Sequence, residues 1–155
     1  MEQKYLYRRE KETIEDDAII PLGKARVARP GAHATIVTYA NGVSMALEAA
    51  ASVARDGYEV EVIDLRSLVP WDWPMVLDSV TRTGRVLIVH EAARTCGFGA
   101  EIAATIADLA FDALDAPIRR VTAPDSPTPA EIGLEAAHRP DAKKVETALV
   151  ELLRY

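Results

Sequence analysis

Cysteine, aromatic residues and basic charge are all in short supply in this sequence. The single cysteine, Cys96, excludes an internal disulfide and makes a cysteine-based zinc site implausible. No apolar run reaches the ~18 residues of a membrane span, so no transmembrane helix is predicted. With 18 basic against 24 acidic residues and no basic stripe, the chain is not expected to bind nucleic acid. A net charge of −6 is ordinary for a cytoplasmic protein, and we predict a bacterial cytoplasmic location.

The residues that are present favour one α/β domain. A chain of 155 residues is long enough for a domain that buries ~70% of its unfolded surface and needs no disulfide or metal. Five apolar or alternating runs are typical of strands, at residues 24–29, 33–39, 60–65, 86–89 and 118–121. Four segments have the spacing of amphipathic helices, at about residues 44–55, 74–82, 99–110 and 141–153. Their alternation predicts a three-layer α/β/α fold around a mostly parallel five-stranded sheet.

The ends of these elements carry local signals. Gly57 and Gly84 are placed to end the first two helices, since glycine adopts the left-handed backbone that closes many helices. Asp72 and Asp141 precede the second and fourth helices and are predicted to cap them. Residues 123–139 contain several prolines and are predicted to be an irregular connection.

The chain divides into two unequal parts. Residues 1–18 are densely charged, with too few apolar side chains to form a core. We interpret them as a linker or arm that precedes a single domain at residues 19–155.

Candidate functional residues concentrate in residues 85–109, where a buried strand runs through a polar turn into a helix. His90 and Glu91 lie at the carboxyl end of the strand, and Arg94 is placed to pair with Glu91. The segment Gly97-Phe98-Gly99 opens the helix, whose exposed amides are able to hold an anion. The alternative is that both glycines only permit a tight turn, because short glycine motifs are weak signals alone.

No catalytic set emerges from these residues. A lone His90 without a nucleophile or a second carboxylate does not make an acid–base site, so no catalytic residue and no metal ligand is assigned. Asp64 ends a strand as a ribose-binding acid does, but Tyr39-Ala40-Asn41-Gly42 replaces the glycine fingerprint that a dinucleotide site requires. His90, Glu91 and Arg94 are therefore interpreted as groups that hold the shape of the turn.

Two further groups are candidates for a partner surface. Trp71 and Trp73 flank Asp72 beside two prolines, and an exposed tryptophan pair indicates a protein interface. Tyr155 is predicted to join an anionic surface for a basic partner, together with Asp112, Asp115, Asp125 and Glu151.

Several segments together resemble one known family. It is the C-terminal, transketolase-C-like domain of the beta subunit of thiamine-diphosphate-dependent 2-oxo acid dehydrogenases, such as pyruvate and 2-oxoisovalerate dehydrogenase. The resemblance runs from about residue 5 to residue 155 and rests on IPLGKARV, ATIVTYANGV, VEVIDLRSLVPWD, VLIVHEAARTCGFGAEIAA and DAPIRRVTAPDSPTP. It implies a five-stranded mixed sheet whose first strand, residues 24–29, is antiparallel to the others. Cys96 stands where the family often has a glycine, which implies a turn with tighter backbone angles.

The resemblance also implies a role. In the family, a pyrimidine-binding domain precedes this one and supplies the glutamate that activates thiamine; no such domain is found in this sequence. We therefore expect this chain alone to bind no cofactor, whereas the complete enzyme uses thiamine diphosphate and Mg²⁺. The implied partners are the alpha subunit, a second beta subunit and the subunit-binding domain of the dihydrolipoyl acyltransferase core.

Three hypotheses follow. The first is a non-catalytic assembly domain of an enzyme that decarboxylates a branched-chain 2-oxo acid or pyruvate and passes the acyl group to lipoamide. Its turn would face a neighbouring subunit through His90, Glu91, Arg94, Gly97, Phe98 and Gly99. The second is a free-standing α/β module that binds a small anion or nucleotide at Gly97–Gly99. The third is a regulatory or interaction protein derived from such a domain.

Overall fold

The predicted alternation of strands and helices is present in the structure, a computed structural model that describes residues 6–7 and 19–155. The strands are β1 Arg26–Arg29, β2 Ala34–Thr38, β3 Val60–Asp64, β4 Val86–Ala93 and β5 Arg119–Ala123. The helices are α1 Gly42–Ala54, α2 Trp73–Thr83, α3 Phe98–Leu109, α4 Ile132–His138 and α5 Ala142–Leu152, with a 3₁₀ turn at Phe111–Ala113. The proposed arm at residues 1–18 lies outside the described residues except for 6–7 and stays a prediction.

The five strands form one mixed sheet in the order β1-β3-β2-β4-β5. Strand β1 is antiparallel to β3, and every other neighbouring pair is parallel. This confirms the predicted mostly parallel sheet with an antiparallel first strand. Strands β2 and β4 are neighbours although β3 lies between them in the chain, so the order reverses there. Such a reversal opens a crevice at the carboxyl ends of the two strands.

Helices cover both faces of the sheet. Helices α1 and α5 pack on one face, where Ile36 and Leu87 belong to a first core cluster. Helices α2 and α3 pack on the other face, where Val37 and Ile88 belong to a second cluster. All residues of β2 and β3 are buried, as expected for parallel strands covered on both sides. Among the helices of residues 19–155, none is long and apolar enough to cross a membrane.

One buried polar residue in this core is satisfied by hydroxyl groups. The Oγ1 atom of Thr35 in β2 lies 2.6 Å from Ser79 Oγ and 2.7 Å from Thr83 Oγ1, both on α2. Hydrogen bonds of this kind offset the cost of burying a hydroxyl group in an apolar core. They fix α2 against the amino end of the central strand.

The prediction that residues 123–139 lack regular structure is wrong over α4. This helix has seven residues and no buried residue, so it has no apolar stripe for the sequence pattern to reveal. Its start is stabilised by Glu131, whose Oε2 atom accepts a hydrogen bond from Leu134 N at 2.7 Å. Strand β4 also continues to Ala93, beyond the predicted end at Val89, and Ala93 pairs with Ala123 after an irregularity in register.

The two predicted caps have different outcomes. Asp141 caps α5 as predicted, because its Oδ1 atom accepts from Lys144 N at 2.7 Å. Asp72 occupies the cap position of α2, yet its side chain makes no hydrogen bond to the helix. Its buried Oδ2 atom instead accepts from Ala25 N at 3.1 Å and lies 3.7 Å from Lys24 Nζ. The predicted cap is therefore a link between the segment before β1 and the start of α2.

We expect Asp72→Ala to lower the free energy of unfolding by about 1–3 kcal/mol, because it leaves the buried Ala25 amide without an acceptor. Asp78→Ala is the matched control in the same helix, since the Asp78 side chain is 76% exposed and its one ion pair among the described residues is with Arg82. A change within about 0.5 kcal/mol is expected for the control. Urea unfolding measures both variants, and equal losses would contradict a structural role for the Asp72 link.

Candidate functional site

Backbone strain is concentrated at the carboxyl edge of the sheet. Within the described part of the chain, three non-glycine residues have positive φ: Ala40 at 53°, Arg66 at 58° and Cys96 at 59°. They follow the carboxyl ends of β2, β3 and β4 respectively. A left-handed non-glycine residue costs on the order of 1–2 kcal/mol and is typical of functional sites. The value at Cys96 agrees with the tight turn that the sequence implied.

Asp64 has a structural task at this edge. Its Oδ1 atom accepts from the amide of Arg66 at 3.2 Å, which supports the left-handed conformation of that residue. Its Oδ2 atom lies 3.2 Å from Arg26 Nε, which ties β3 to β1. Both carboxylate oxygens are therefore engaged within the protein, in keeping with the absence of a dinucleotide fingerprint.

His90 is fully buried beneath the glycine turn. Its Nε2 atom accepts a hydrogen bond from Gly99 N at 3.2 Å, and its ring stacks on Tyr39 with centroids 6.0 Å apart. An acceptor at Nε2 assigns a neutral imidazole with its proton on Nδ1. Among residues 19–155, that Nδ1 atom has no regular hydrogen-bond partner. Burial raises the pKa of Tyr39, and the charge of Glu91 raises it further.

The two glycines of the turn make room for this imidazole ring. A Cβ atom on Gly97 would overlap the Ala93 carbonyl oxygen and lie 2.7 Å from His90 Cε1. A Cβ atom on Gly99 would overlap His90 Nε2 and lie 2.6 Å from His90 Cδ2. The backbone thus passes over the ring at van der Waals distance, which only glycine permits. The glycines serve close packing.

The start of α3 has few donors left for an anion. The amide of Gly99 is bonded to His90, and the amide of Ala100 donates to the Gly97 carbonyl at 2.8 Å. Phe98 turns its ring onto Trp71 in an edge-to-face contact, with centroids 6.0 Å apart. The hypothesis of an anion or nucleotide site at Gly97–Gly99 therefore loses the backbone groups on which it rested.

The pairing of Arg94 with Glu91 is wrong. Glu91 Oε1 accepts from Asn41 Nδ2 at 2.8 Å, which joins the carboxyl ends of β4 and β2. Arg94 Nη1 lies 3.5 Å from the Arg120 carbonyl, and Arg120 Nη1 lies 3.2 Å from the Arg94 carbonyl. Glu91 therefore contacts the segment after β2, whereas Arg94, which lies beyond the end of β4, contacts β5.

Asp125 contributes to the turn and was not identified as a turn residue from the sequence. Its carboxylate accepts from Thr95 N at 2.8 Å and from Thr95 Oγ1 at 2.7 Å. These hydrogen bonds lower the pKa of Asp125, the backbone amide contributing most. The loop after β5 thereby holds the loop after β4, although 30 residues separate the two positions.

An open cleft of about 650 Å³ lies at the crevice between the carboxyl ends of β2 and β4. Its walls are the start of α1, the end of β4 and the junction of α4 with α5. Its polar lining consists of Asn41, Ser44, Glu48, Glu91, Arg139 and Asp141. Across the described residues, no group of three or more potential metal ligands is present. The cleft was not predicted, because its lining comes from three distant segments.

The three predicted partner-surface residues do not form one surface: Trp71 and Trp73 are neighbours, joined by a backbone hydrogen bond of 3.0 Å, and Tyr155 lies apart from them. Trp71 is half-buried and packs on the second core cluster. Trp73 is 46% exposed at the start of α2, and Tyr155 is 58% exposed beyond α5. Helices α2 and α5 cover opposite faces of the sheet, so Trp73 and Tyr155 do not share one surface. Their roles in binding a partner stay predictions.

Comparison with known proteins identifies the family. Residues 23–145 match the family described as "Transketolase, C-terminal domain". The chain belongs to this family. The match confirms the resemblance that the sequence motifs indicated.

Curated relatives of this transketolase C-terminal domain are beta subunits. The chain is 42% identical over 152 residues to the acetoin:2,6-dichlorophenolindophenol oxidoreductase subunit beta of Bacillus subtilis, covering 98% of this chain and 44% of the relative. It is 41% identical over 155 residues to the mitochondrial 2-oxoisovalerate dehydrogenase subunit beta 2 of Arabidopsis thaliana, covering 99% and 43%. It is 41% identical over 134 residues to the pyruvate dehydrogenase E1 component subunit beta of Rhizobium meliloti, covering 86% and 29%. The chain thus spans less than half the length of these relatives.

A solved structure agrees with the fold. The chain resembles a protein described as "Split gene transketolase, inactive beta4 tetramer", with a TM-score of 0.78 and 25% identity. The likeness covers 93% of this chain and 46% of that one. The transketolase C-terminal fold inferred from the sequence is therefore confirmed.

We expect Gly99→Ala to lower the free energy of unfolding by about 1–3 kcal/mol, because the new methyl group overlaps the buried His90 ring. Gly133→Ala is the control, since its Cβ would lie 3.1 Å from the flexible end of Glu131 in an exposed helix. That variant is expected to be neutral or stabilising, because alanine favours helix more than glycine does. Urea unfolding compares the two, and a stable Gly99→Ala protein would contradict the packing role of the glycine.

The second prediction for this turn concerns the pH dependence of stability. Burial lowers the pKa of His90 below the ordinary 6.5, and the charge of Arg120 lowers it further. Polar contact with the Ala92 main chain raises the pKa but does not cancel these two effects. Above pH 6.5, His90 does not reduce the stability of the folded chain, because its imidazole is mainly neutral in both the folded and the unfolded state. Below pH 6.5, the imidazole takes up a proton in the unfolded chain but stays neutral in the folded chain. Stability therefore falls by up to about 1.4 kcal/mol per pH unit until the folded pKa is reached.

The variant His90→Gln isolates this effect, because its amide oxygen is able to accept from Gly99 N without titrating. Denaturant unfolding between pH 7.5 and about 5 should show a decline for the original chain that is shallower for the variant, since carboxylate titration sets in mainly below this range. Parallel pH profiles would show that His90 does not control acid stability.

Proposed function

We propose that this chain is the C-terminal assembly module of a beta subunit in an enzyme that oxidatively decarboxylates a 2-oxo acid or acts on acetoin. The observation that carries the proposal is the extent of its likeness to beta subunits, which reaches 98% of the chain at 42% identity. The chemistry of the whole enzyme belongs mainly to parts of the relatives outside this chain. The module contributes interfaces and shapes the neighbourhood of the active site.

The geometry of the conspicuous turn supports a structural role. His90, Gly97 and Gly99 form a close-packed support, and the amide of Gly99 is already bonded. No nucleophile paired with a base is found at the carboxyl edge of the described sheet, where an α/β enzyme places its catalytic groups. Arg94 and Thr95 lie on the exposed side of this support. We propose that this side faces a neighbouring subunit.

Thiamine diphosphate with Mg²⁺ would supply the bond-cleaving chemistry of the complete enzyme. The residues of this chain do not fit the diphosphate, because the amides of Gly99 and Ala100 at the glycine turn are engaged internally. We therefore assign cofactor binding to the part of a complete beta subunit that precedes this module, and to the alpha subunit. Residues 1–18 would be the linker to that part, and residues 19–155 the module itself.

The proposed partners are the alpha subunit, a second beta subunit and the subunit-binding domain of a dihydrolipoyl acyltransferase, in the bacterial cytoplasm. Relatives of this chain are named for acetoin, 2-oxoisovalerate and pyruvate, so the substrate class is a small 2-oxo acid or acetoin. A self-assembled state is a further expectation, because the solved relative is described as an inactive beta4 tetramer.

Titration calorimetry tests the proposal directly. The purified chain is titrated with the alpha subunit of the Bacillus subtilis relative and, separately, with thiamine diphosphate and Mg²⁺. We expect binding of the alpha subunit and no heat from the cofactor. Tight cofactor binding without any subunit binding would refute the assembly role.

The role of the exposed turn is tested by Arg94→Ala. Interface arginines are frequent hot spots, so we expect affinity for the alpha subunit to fall about tenfold at an unchanged melting temperature. Arg55→Ala is the matched control, because Arg55 is also exposed and its side-chain hydrogen bonds, within the described part of the chain, go to Ser52 near the end of α1. Equal affinity of both variants would place the subunit interface elsewhere.

A further inference from the structure

An exposed apolar surface surrounds the point where the main domain begins. Ile19 is 88% exposed, Leu22 is 85% exposed and Val69 is 88% exposed, the highest values for large apolar residues in the described part of the chain. Ile20, 57% exposed, and Trp73, 46% exposed, are also large apolar residues at the surface. We call these five residues the entry patch.

Two distant segments are joined to make the entry patch. Gly23 N donates to Ser67 Oγ at 2.8 Å, and the Cα of Gly23 faces the Pro70 ring so closely that a Cβ atom would lie 3.2 Å from Pro70 Cγ. The buried Asp72 carboxylate accepts from Ala25 N, which fastens the same two segments a second time. Leu22 and Val69 flank these contacts. The patch is therefore a built surface, held by polar bonds beneath it.

Several large apolar side chains exposed together indicate an interface. Monomeric domains rarely leave several large apolar side chains exposed together, and such patches mark interfaces. A tryptophan at its margin is typical of the residues that contribute most to binding. The Asp72 carboxylate that holds the patch is buried, whereas Lys24 beside it is exposed at the margin.

We propose that the entry patch packs against the domain that precedes this one in complete beta subunits. The inference rests on the proposed function. The Bacillus subtilis relative matches 98% of this chain with only 44% of its own length, so most of that protein consists of other structure. Because the matching family is a C-terminal domain, that structure precedes it, and Ile19 and Ile20 lie on the segment that leads into the matched residues 23–145.

A tethered neighbour is favoured over a second copy of the chain as the occupant. It is present at a high effective concentration, so a modest apolar surface is enough to hold it. A second copy arrives from free solution and has no such advantage.

Hydroxyl-radical footprinting tests the contact in one polypeptide. A chimera places the preceding part of the Bacillus subtilis beta subunit, with its own linker, in front of residue 19 of this chain. We expect oxidation of Leu22, Val69 and Trp73 to slow at least fivefold relative to the chain alone. Leu109 and Phe111, 54% and 70% exposed at the far end of α3, are internal controls that should change less than twofold. Unchanged oxidation of the patch in a folded chimera overturns the proposal.

A second measurement uses the separate parts. The preceding part of the relative, produced alone and shown to be folded, is titrated with this chain and with Val69→Asp. We expect the charged variant to bind at least tenfold more weakly, whereas Leu109→Asp, the matched control, binds as the original does. No binding by the original chain, or equal binding by both variants, overturns the proposal.

The outcomes separate this inference from the proposed function. If the alpha subunit binds but the patch is not protected from oxidation, the inference is wrong and the assembly role is supported. If the patch is protected but the alpha subunit does not bind, the inference is supported and the assembly role is wrong. Sedimentation that reveals a dimer of this chain abolished by Val69→Asp would identify a second copy as the occupant and overturn the proposal.

Discussion

The buried imidazole of His90 is the constraint around which the carboxyl edge of the sheet is arranged. The ring lies at the end of β4, and the backbone of the glycine turn crosses directly above it. One hydrogen bond from Gly99 N to Nε2 joins strand, turn and the start of α3. That bond requires a neutral ring, which ties the shape of the turn to the protonation of a single group. A side chain at either glycine would displace the ring or lift the helix.

This arrangement gives the glycine-marked turn a packing role. A glycine-marked helix start is able to cradle phosphate when its amides are free. Here the His90 imidazole accepts the hydrogen bond of one of those amides, and the turn packs so closely above the ring that no other group fits between them. The accessible surfaces lie around the turn: Arg94 and Thr95 on its exposed side, and the cleft beside Asn41 and Glu91. A close-packed support of this kind suits a domain whose task is to present surfaces to neighbours.

The sequence pattern predicted what depends on local periodicity. The buried strands and the amphipathic helices follow from apolar spacing, whereas the antiparallel direction of β1 came from the family resemblance and not from any pattern. Helix α4 was missed because a helix with no buried residue has no apolar face. The links from Asp72 to Ala25 and from Glu91 to Asn41 span 47 and 50 residues, and nothing in the local sequence announces such contacts. The predicted Glu91–Arg94 pairing is wrong because Glu91 bonds to Asn41 after β2, whereas Arg94 contacts the Arg120 carbonyl of β5.

The three left-handed residues at the carboxyl edge have a consequence for association. Each of these loops contains one residue with a left-handed backbone, a conformation that non-glycine residues rarely adopt: Ala40, Arg66 or Cys96. Neighbouring groups such as the Asp64 carboxylate, bonded to Arg66 N, stabilise those conformations before any partner arrives. Ordering a loop on binding costs conformational entropy, but these loops are already ordered when the chain folds. The domain therefore offers a preorganised surface, on which contacts formed with a partner translate more fully into affinity.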